Sequence, residues 1–141
     1  MAFRFEDLKV WHIAADLSNE IDLVAKTFPA EERFSLATQM KKAADSVVLN
    51  IAEGSTGQSI PEFKRFLDIA LRSAIEVVAC LYLANKRKYI TEDIYRKYYG
   101  YEILCKMITK LRDSMIPFEP LTMNHELKDH EVPHHTFLLN W

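Results

Sequence analysis

Apolar and polar residues alternate along residues 1–116 with a helical period, because apolar side chains recur every three to four positions. The pattern predicts four helices and no strand, so the expected fold class is all-α. The first helix ends before Pro29, since the residue that precedes a proline avoids helical backbone angles. The four predicted segments are 8–28, 35–53, 60–88 and 91–115.

Particular residue types predict where these helices begin and end. Gly54 stands where a residue with left-handed backbone angles would follow the second helix. Ser59 and Glu62 form a predicted capping box, in which the Ser59 hydroxyl accepts from the amide of residue 62 and the carboxylate reaches back. Thr91 is the expected N-cap of the fourth helix. Because connections of a few residues favour antiparallel neighbours, the sequence predicts an antiparallel up-down four-helix bundle.

The third predicted helix is apolar almost all round. From Ile69 to Ala84 the apolar residues are interrupted at four positions, which are Arg72, Ser73, Glu76 and Cys80. Two charges within the run exclude a membrane span. A four-helix bundle covers one stripe of each helix, so we expect the remaining apolar surface to lie in a subunit interface. The alternative is a few solvent-exposed apolar residues, which are common.

Composition restricts the classes of protein that this chain can belong to. The chain has 141 residues, 49% of them hydrophobic, which is enough for one domain with its own core. Its formal net charge of −2 argues against a strongly basic nucleic-acid binder. Two cysteines exclude a disulfide framework.

The C-terminal residues differ in composition from the rest of the chain. Apart from histidines, residues 117–141 contain one basic residue, Lys128, and all their other charged residues are acidic. We therefore divide the chain into a four-helix-bundle domain, 1–116, and an acidic tail rich in histidine and proline, 117–141. The first seven residues carry charges and no apolar stretch, so we expect a cytoplasmic protein that makes no membrane contact.

Residues suited to catalysis or metal binding are not arranged for it. The histidines of the tail alternate with carboxylates, but no turn or helical spacing would hold them around an ion. Cys80 and Cys105 lie on apolar helix faces, where cysteine behaves as a small hydrophobic residue. His12 has no serine or aspartate partner at a catalytic spacing. We predict no enzyme, no metal site and no cofactor.

A polar line on the second helix predicts a hydrogen-bond network between helices. Ser46 and Asn50 suit such a network better than a solvated face, which usually carries Lys and Glu. On the third helix, Asp68, Arg72 and Glu76 follow one another at steps of four, as in a salt-bridge ladder. The residues assigned to a structural network are Gln39, Ser46, Asn50, Glu53, Gly54, Arg72, Ser73 and Glu76.

Short basic clusters are the candidate contacts to phosphate groups. Such clusters on helices are usually solvated, but repetition in an oligomer would raise their combined affinity for an anionic polymer. The candidate nucleic-acid-binding residues are Lys41, Lys42, Lys64, Arg65, Lys86, Arg87 and Lys88.

Several motifs together resemble those of the 23S rRNA intervening-sequence proteins, a family of small bacterial four-helix-bundle proteins. The most specific is the run Asn50-Ile51-Ala52-Glu53-Gly54. The others are Phe5, Leu8, Val10, Trp11, Phe28-Pro29, Glu32, Leu36, Gln39, Lys41-Lys42-Ala43-Ala44, Ser46, Phe63, Phe66-Leu67, Ala70, Ser73 and Glu76. The resemblance implies a bundle that assembles as a ring-like homo-oligomer, typically a pentamer, without enzymatic activity. Related proteins serve as accessory factors of diversity-generating retroelements and engage nucleic acid.

From these observations we predict a non-enzymatic, oligomeric binding or scaffold protein that associates with RNA or a ribonucleoprotein. Its expected partners are other copies of itself and either RNA or single-stranded DNA. The alternative is a protein–protein adaptor or structural assembly with no role in nucleic-acid binding.

Overall fold

A computed structural model of the chain describes residues 3–57 and 59–115. Four long helices and one short helix follow one another, with 3-10 turns at Arg4–Asp7 and Ala30–Glu32. The helices are α1 (Lys9–Ala25), α2 (Leu36–Gly54), α3 (Ile60–Lys86), α4 (Glu92–Tyr95) and α5 (Tyr98–Ser114). Within the described residues there is no strand, so the predicted all-α fold class is confirmed. The predicted acidic tail, 117–141, lies outside the described residues.

The four long helices form a bundle around one apolar core. α2 packs most extensively against α3 and α1, and α5 packs against α3 and α1. Each long helix directs one apolar stripe inward, as the periodicity predicts. Among the largest fully buried side chains are Ile21, Met40, Phe63, Leu81 and Tyr101.

Hydrogen bonds confirm two of the predicted helix starts. The Ser59 hydroxyl accepts from the Glu62 amide at 3.2 Å, and the Thr91 hydroxyl accepts from the Ile94 amide at 3.3 Å. The second half of the predicted capping box is wrong. The Glu62 carboxylate instead pairs with Arg65 one turn further along α3, at 2.8 Å.

The predicted left-handed backbone of Gly54 is also wrong, because Gly54 is the last residue of α2 and has no positive φ. The glycine is required by packing instead. A Cβ atom at this position would lie 2.7 Å from Phe66 Cβ and 2.9 Å from Phe63 Cδ1. The residue with positive φ is Gly57 in the following loop, at 88°. Gly54 therefore allows the backbone of α2 to approach α3 closely.

The predicted fourth helix is divided into α4 and α5. At their junction, the amide of Lys97 and those of Tyr99 and Gly100 in the first turn of α5 donate to carbonyls three residues earlier, which tightens the helical turn. Gly100 then lies against Leu17 of α1, where a Cβ would come within 2.7 Å of a Leu17 methyl. Periodicity cannot distinguish this tightened turn from a continuous helix, because its side chains keep a similar spacing.

The end of α3 is two residues earlier than predicted. Lys88 has a φ of 62°, and the Tyr89 amide donates to the Ala84 carbonyl at 2.8 Å. This is the hydrogen bond of a Schellman motif, which satisfies a carbonyl of the last helical turn. The chain thus leaves α3 with Tyr89 against Phe28 and Glu32, in the connection between α1 and α2.

Candidate nucleic-acid interface

The predicted phosphate contacts lie at separate places on the bundle. Lys64 and Lys86 are near opposite ends of α3, about 33 Å apart along its axis. Arg65 pairs with Glu62 and lies over the Phe66 ring, with its Cζ 4.7 Å from the centroid. Lys86 lies over the Tyr82 ring at 5.6 Å. One chain therefore presents several small basic clusters instead of one continuous basic face.

Lys41 belongs to an ionic contact between α1 and α2 that also includes Lys26. The Asp22 carboxylate lies 3.0 Å from Lys41 Nζ and 3.1 Å from Lys26 Nζ. Hydrogen bonds from Lys41 and Lys26 lower the pKa of Asp22 below its usual value, so the carboxylate stays ionised at neutral pH. Asp22 thereby holds two ammonium groups side by side. Lys42, the next residue along α2, is exposed.

A cleft lies beside this pair of lysines, between the end of α1 and the start of α2. Its volume is about 510 Å³. Phe34 stands at the cleft and is 89% exposed, the largest exposure among the described large hydrophobic residues. The lining residues are Ala25, Lys26, Phe28, Arg33, Phe34, Ala37, Thr38 and Lys41.

The pattern of apolar and polar residues does not identify Arg33 and Phe34, which line the cleft. Both lie in the connection between α1 and α2, where no periodicity assigns a side chain to the core or to solvent. The available signal was an aromatic residue next to an arginine in a mostly polar loop. An aromatic residue in such a loop can equally be buried in the core, and the sequence does not show whether Phe34 is buried or exposed.

The polar residues predicted to join helices do so at Ser46 and Ser73, whereas Asn50 bonds Ser46 within α2. The Ser46 and Ser73 hydroxyl oxygens are 2.8 Å apart, which links α2 to α3. Asn50 donates through Nδ2 to the Ser46 carbonyl at 2.8 Å and to its hydroxyl at 3.0 Å. Ser73 is buried and Asn50 is half-buried, as expected for a network between helices. Gln39 makes a second link, donating to Glu76 Oε2 at 3.2 Å on the exposed side.

Two expectations about this polar set are wrong. Glu53, assigned to the network and therefore expected to be at least partly buried, is exposed, since it follows the buried Ile51 by two residues and thus points about 200° away from it. The salt-bridge ladder on α3 does not form either. Asp68 lies 2.6 Å from Arg112 of α5, so its carboxylate faces the neighbouring helix instead of Arg72. Arg72 is exposed.

Replacing Asn50 by leucine is expected to lower the free energy of unfolding by about 1–2 kcal/mol, because the half-buried Ser46 would lose its amide partner. Asn19→Leu is the matched control, since Asn19 is exposed on α1. Urea denaturation of the two variants checks the prediction. Equal stability of both variants would show that the network contributes nothing to helix pairing.

An apolar stripe on α3 stays exposed in the single chain. Ile75, Tyr82 and Leu83 are 62%, 49% and 39% exposed, and their spacing of seven and eight residues places them on one face. The bundle thus leaves part of the nearly all-apolar third helix uncovered, as its sequence indicates. Tyr99 and Ile103 form a similar exposed pair on α5.

The remaining candidates for chemistry have ordinary environments. Burial, with a smaller effect of Glu76, raises the pKa of the Cys80 thiol to about 11, so it is not an activated nucleophile. In residues 3–57 and 59–115, no group of histidine, cysteine and carboxylate side chains could hold a metal ion. The tail histidines lie outside the described residues. No described helix is long and apolar enough to cross a membrane.

Comparison with known proteins gives one family and one fold. The model of the 23S rRNA-intervening sequence protein family matches residues 6–110. A crystal structure of a protein of unknown function from the S23 ribosomal protein family of Bacteroides thetaiotaomicron VPI-5482 is similar, with a TM-score of 0.70 and 24% sequence identity. The similarity covers 74% of this chain and 99% of that one, and it supports the helical-bundle fold. No curated protein matches the chain.

Proposed function

Since this chain belongs to the 23S rRNA-intervening sequence protein family, we propose that it is a non-enzymatic binding protein that associates with RNA as a homo-oligomer. The observation that carries the proposal is the surface of the bundle. It combines separated basic clusters with an apolar stripe on α3 that one chain leaves uncovered. Repetition of the clusters in an assembly would let several weak contacts act together on one RNA.

The assembly that we propose is a ring of antiparallel up-down bundles, typically a pentamer. Two contacts between helices support the antiparallel arrangement of α2 and α3. Gln39 meets Glu76, whereas Gly54, fifteen residues later on α2, meets Phe63 and Phe66, which precede Glu76 on α3. The exposed residues Ile75, Tyr82 and Leu83 are the proposed contact between subunits, because burying apolar surface is the main driving force for association.

The RNA-binding role draws on the family's name together with the candidate basic residues. Lys42, Arg87 and Lys88 are exposed and available to phosphate groups. Binding through such residues is electrostatic and carries no sequence information, so the expected ligand is single-stranded or ribosomal RNA recognised through its backbone. A cytoplasmic location remains a prediction from the sequence.

Anisotropy titration of a fluorescein-labelled RNA with the full chain tests this function. We expect weak binding at about 50 mM salt, and the affinity should fall by orders of magnitude by about 200 mM, because each phosphate contact releases counterions. Deleting residues 118–141 should strengthen binding, since this acidic tail would compete with phosphate groups.

A protein–protein adaptor is the alternative function, and the exposed apolar residues of α3 favour it as much as they favour self-association. The same titration separates the two functions. If neither the full chain nor the shortened chain binds RNA at about 50 mM salt, the adaptor function is the better account.

A further inference from the structure

The cleft between α1 and α2 combines an exposed aromatic ring with three cations. Lys26, Arg33 and Lys41 line it, and Phe34 stands beside them. Among the described residues that line the cleft, none carries a carboxylate. We propose that this cleft binds one nucleotide of single-stranded RNA, with Phe34 stacked on the base and the three cations facing the adjacent phosphates. This inference rests on the proposed RNA association and assigns it a site.

Phe34 has the properties of a stacking platform. It is 89% exposed, although burying such a ring is favourable, and no other ring in the described part of the chain stacks on it. Proteins that bind single strands place bases on exposed aromatic side chains in this way, and every base offers a π-face for the contact. A duplex keeps its bases stacked on one another, so one accessible ring favours a single strand.

Hydrogen bonds hold the loop that carries Phe34 in place without a ligand. Glu32 accepts from the Tyr89 hydroxyl at 2.9 Å, and this bond ties the loop to the chain that leaves α3. Glu32 also accepts from the Ser35 hydroxyl, and the two bonds lower the pKa of Glu32, with Ser35 contributing more. The Thr38 hydroxyl donates to the Arg33 carbonyl from the first turn of α2. Binding a nucleotide therefore costs less conformational entropy than it would if these hydrogen bonds did not hold the loop.

The charges around the cleft complement a phosphodiester. Asp22 neutralises part of the charge of Lys26 and Lys41 but holds their ammonium groups at the rim, at 3.1 and 3.0 Å. The Arg33 guanidinium forms no ion pair within the described residues. Among the side chains that line the cleft, three are cationic and none is acidic, and they stand beside an apolar floor of Ala25, Phe28 and Ala37. The Glu32 carboxylate of the same loop is bonded to Tyr89 and Ser35 and is not part of this lining. An apolar floor and a positive rim match the two parts of a nucleotide.

The basic clusters predicted from the sequence lack this combination. Arg65 forms an ion pair with Glu62 at 2.8 Å, and the Phe66 ring beneath its guanidinium group is half-buried. Lys86 covers the Tyr82 ring, at 5.6 Å from its centroid, so that a base could not stack on the same face. Among the predicted contacts, only Lys41 lies at the cleft.

The test measures binding of a fluorescein-labelled oligo(U) of about 12 nucleotides to the full chain and its variants, at about 50 mM salt. Phe34→Ala is expected to weaken binding about tenfold, because it removes the stacked ring. Phe34→Tyr keeps the ring and should keep the affinity. Arg33→Gln should weaken binding and reduce the slope of log K against log salt by about 1.

Two further measurements separate stacking from a merely structural role. In Phe34→Trp, the indole fluorescence in excess of that of the wild type, which contains Trp11 and Trp141, should be quenched when oligo(U) is added, since the new ring would stack on a base. The matched control for charge is Lys9→Gln, because Lys9 is exposed at the opposite end of α1, about 25 Å from Lys26. This variant should bind oligo(U) like the wild type.

Three results would overturn the inference. If the wild type binds oligo(U) but Phe34→Ala and Arg33→Gln bind equally well, the cleft is not the site, and the proposed function stands. If the wild type fails to bind at about 50 mM salt, the RNA association and this site both fail. If Phe34→Ala changes the particle mass in light scattering, Phe34 lies between copies of the chain and not under a base.

Discussion

The double variant Ile75→Glu, Leu83→Glu is expected to be a monomer of 16.4 kDa, whereas the wild type should form a particle several times heavier. Both side chains belong to the exposed apolar stripe of α3, at 62% and 39% exposure. Burying two unpaired carboxylates in a subunit contact would cost several kcal/mol, so the contact through α3 should not form. Multi-angle light scattering at micromolar concentration measures the mass.

Leu23→Glu is the matched control for this prediction. Leu23 is 64% exposed on α1, the long helix that does not pack extensively against α3. The control should keep the mass of the wild type, and circular dichroism should show equal helix content in all three proteins. A wild type that stays at 16.4 kDa on concentration would refute the assembly itself.

Gly54→Ala is expected to destabilise the bundle, although alanine is the better helix former. The new Cβ would lie 2.7 Å from Phe66 Cβ, an atom next to the backbone of α3 that cannot move without shifting the helix. Overpacking of this kind costs about 1–3 kcal/mol, which outweighs the gain of about 1 kcal/mol from helix propensity. Urea or thermal unfolding of the variant measures the difference.

Gly100→Ala is a strict control, because its Cβ would come equally close to another residue. The neighbour is a methyl at the end of the Leu17 side chain, 2.7 Å away, and a flexible side chain can turn aside. This variant should therefore match or slightly exceed the stability of the wild type, since Gly100 lies within α5. Equal losses in both variants would contradict the proposed reason for Gly54.

Features that depend on residues close together in the sequence could be predicted. The starts of α3 and α4 follow from Ser59 and Thr91, whose hydroxyls accept from amides three residues later. Asn50 and Ser46 lie one helical turn apart, so the polar spacing places them on one face, where they are hydrogen-bonded. The motifs quoted from the sequence, of which the run 50–54 is the most specific, together identified the family. Capping, helical period and turn spacing are short-range, and the sequence displays them directly.

Features that join residues distant in the chain could not be predicted in this way. Periodicity places Asp68 on a polar face, but the position of α5 decides that it meets Arg112 and not Arg72. Asp22 likewise pairs with Lys26 at the end of its own helix and with Lys41 of α2, and only the second pair depends on how the helices pack.

The sequence by itself determined that this chain forms four long helices and to which family it belongs, because periodicity, caps and motifs are properties of short stretches. Only the tertiary structure decided that Gly54 is a contact point between helices and that Phe34 stands exposed beside three cations. The physical reason is that close approach and exposure depend on which surfaces meet. That depends on the relative positions of whole helices, which no local pattern records.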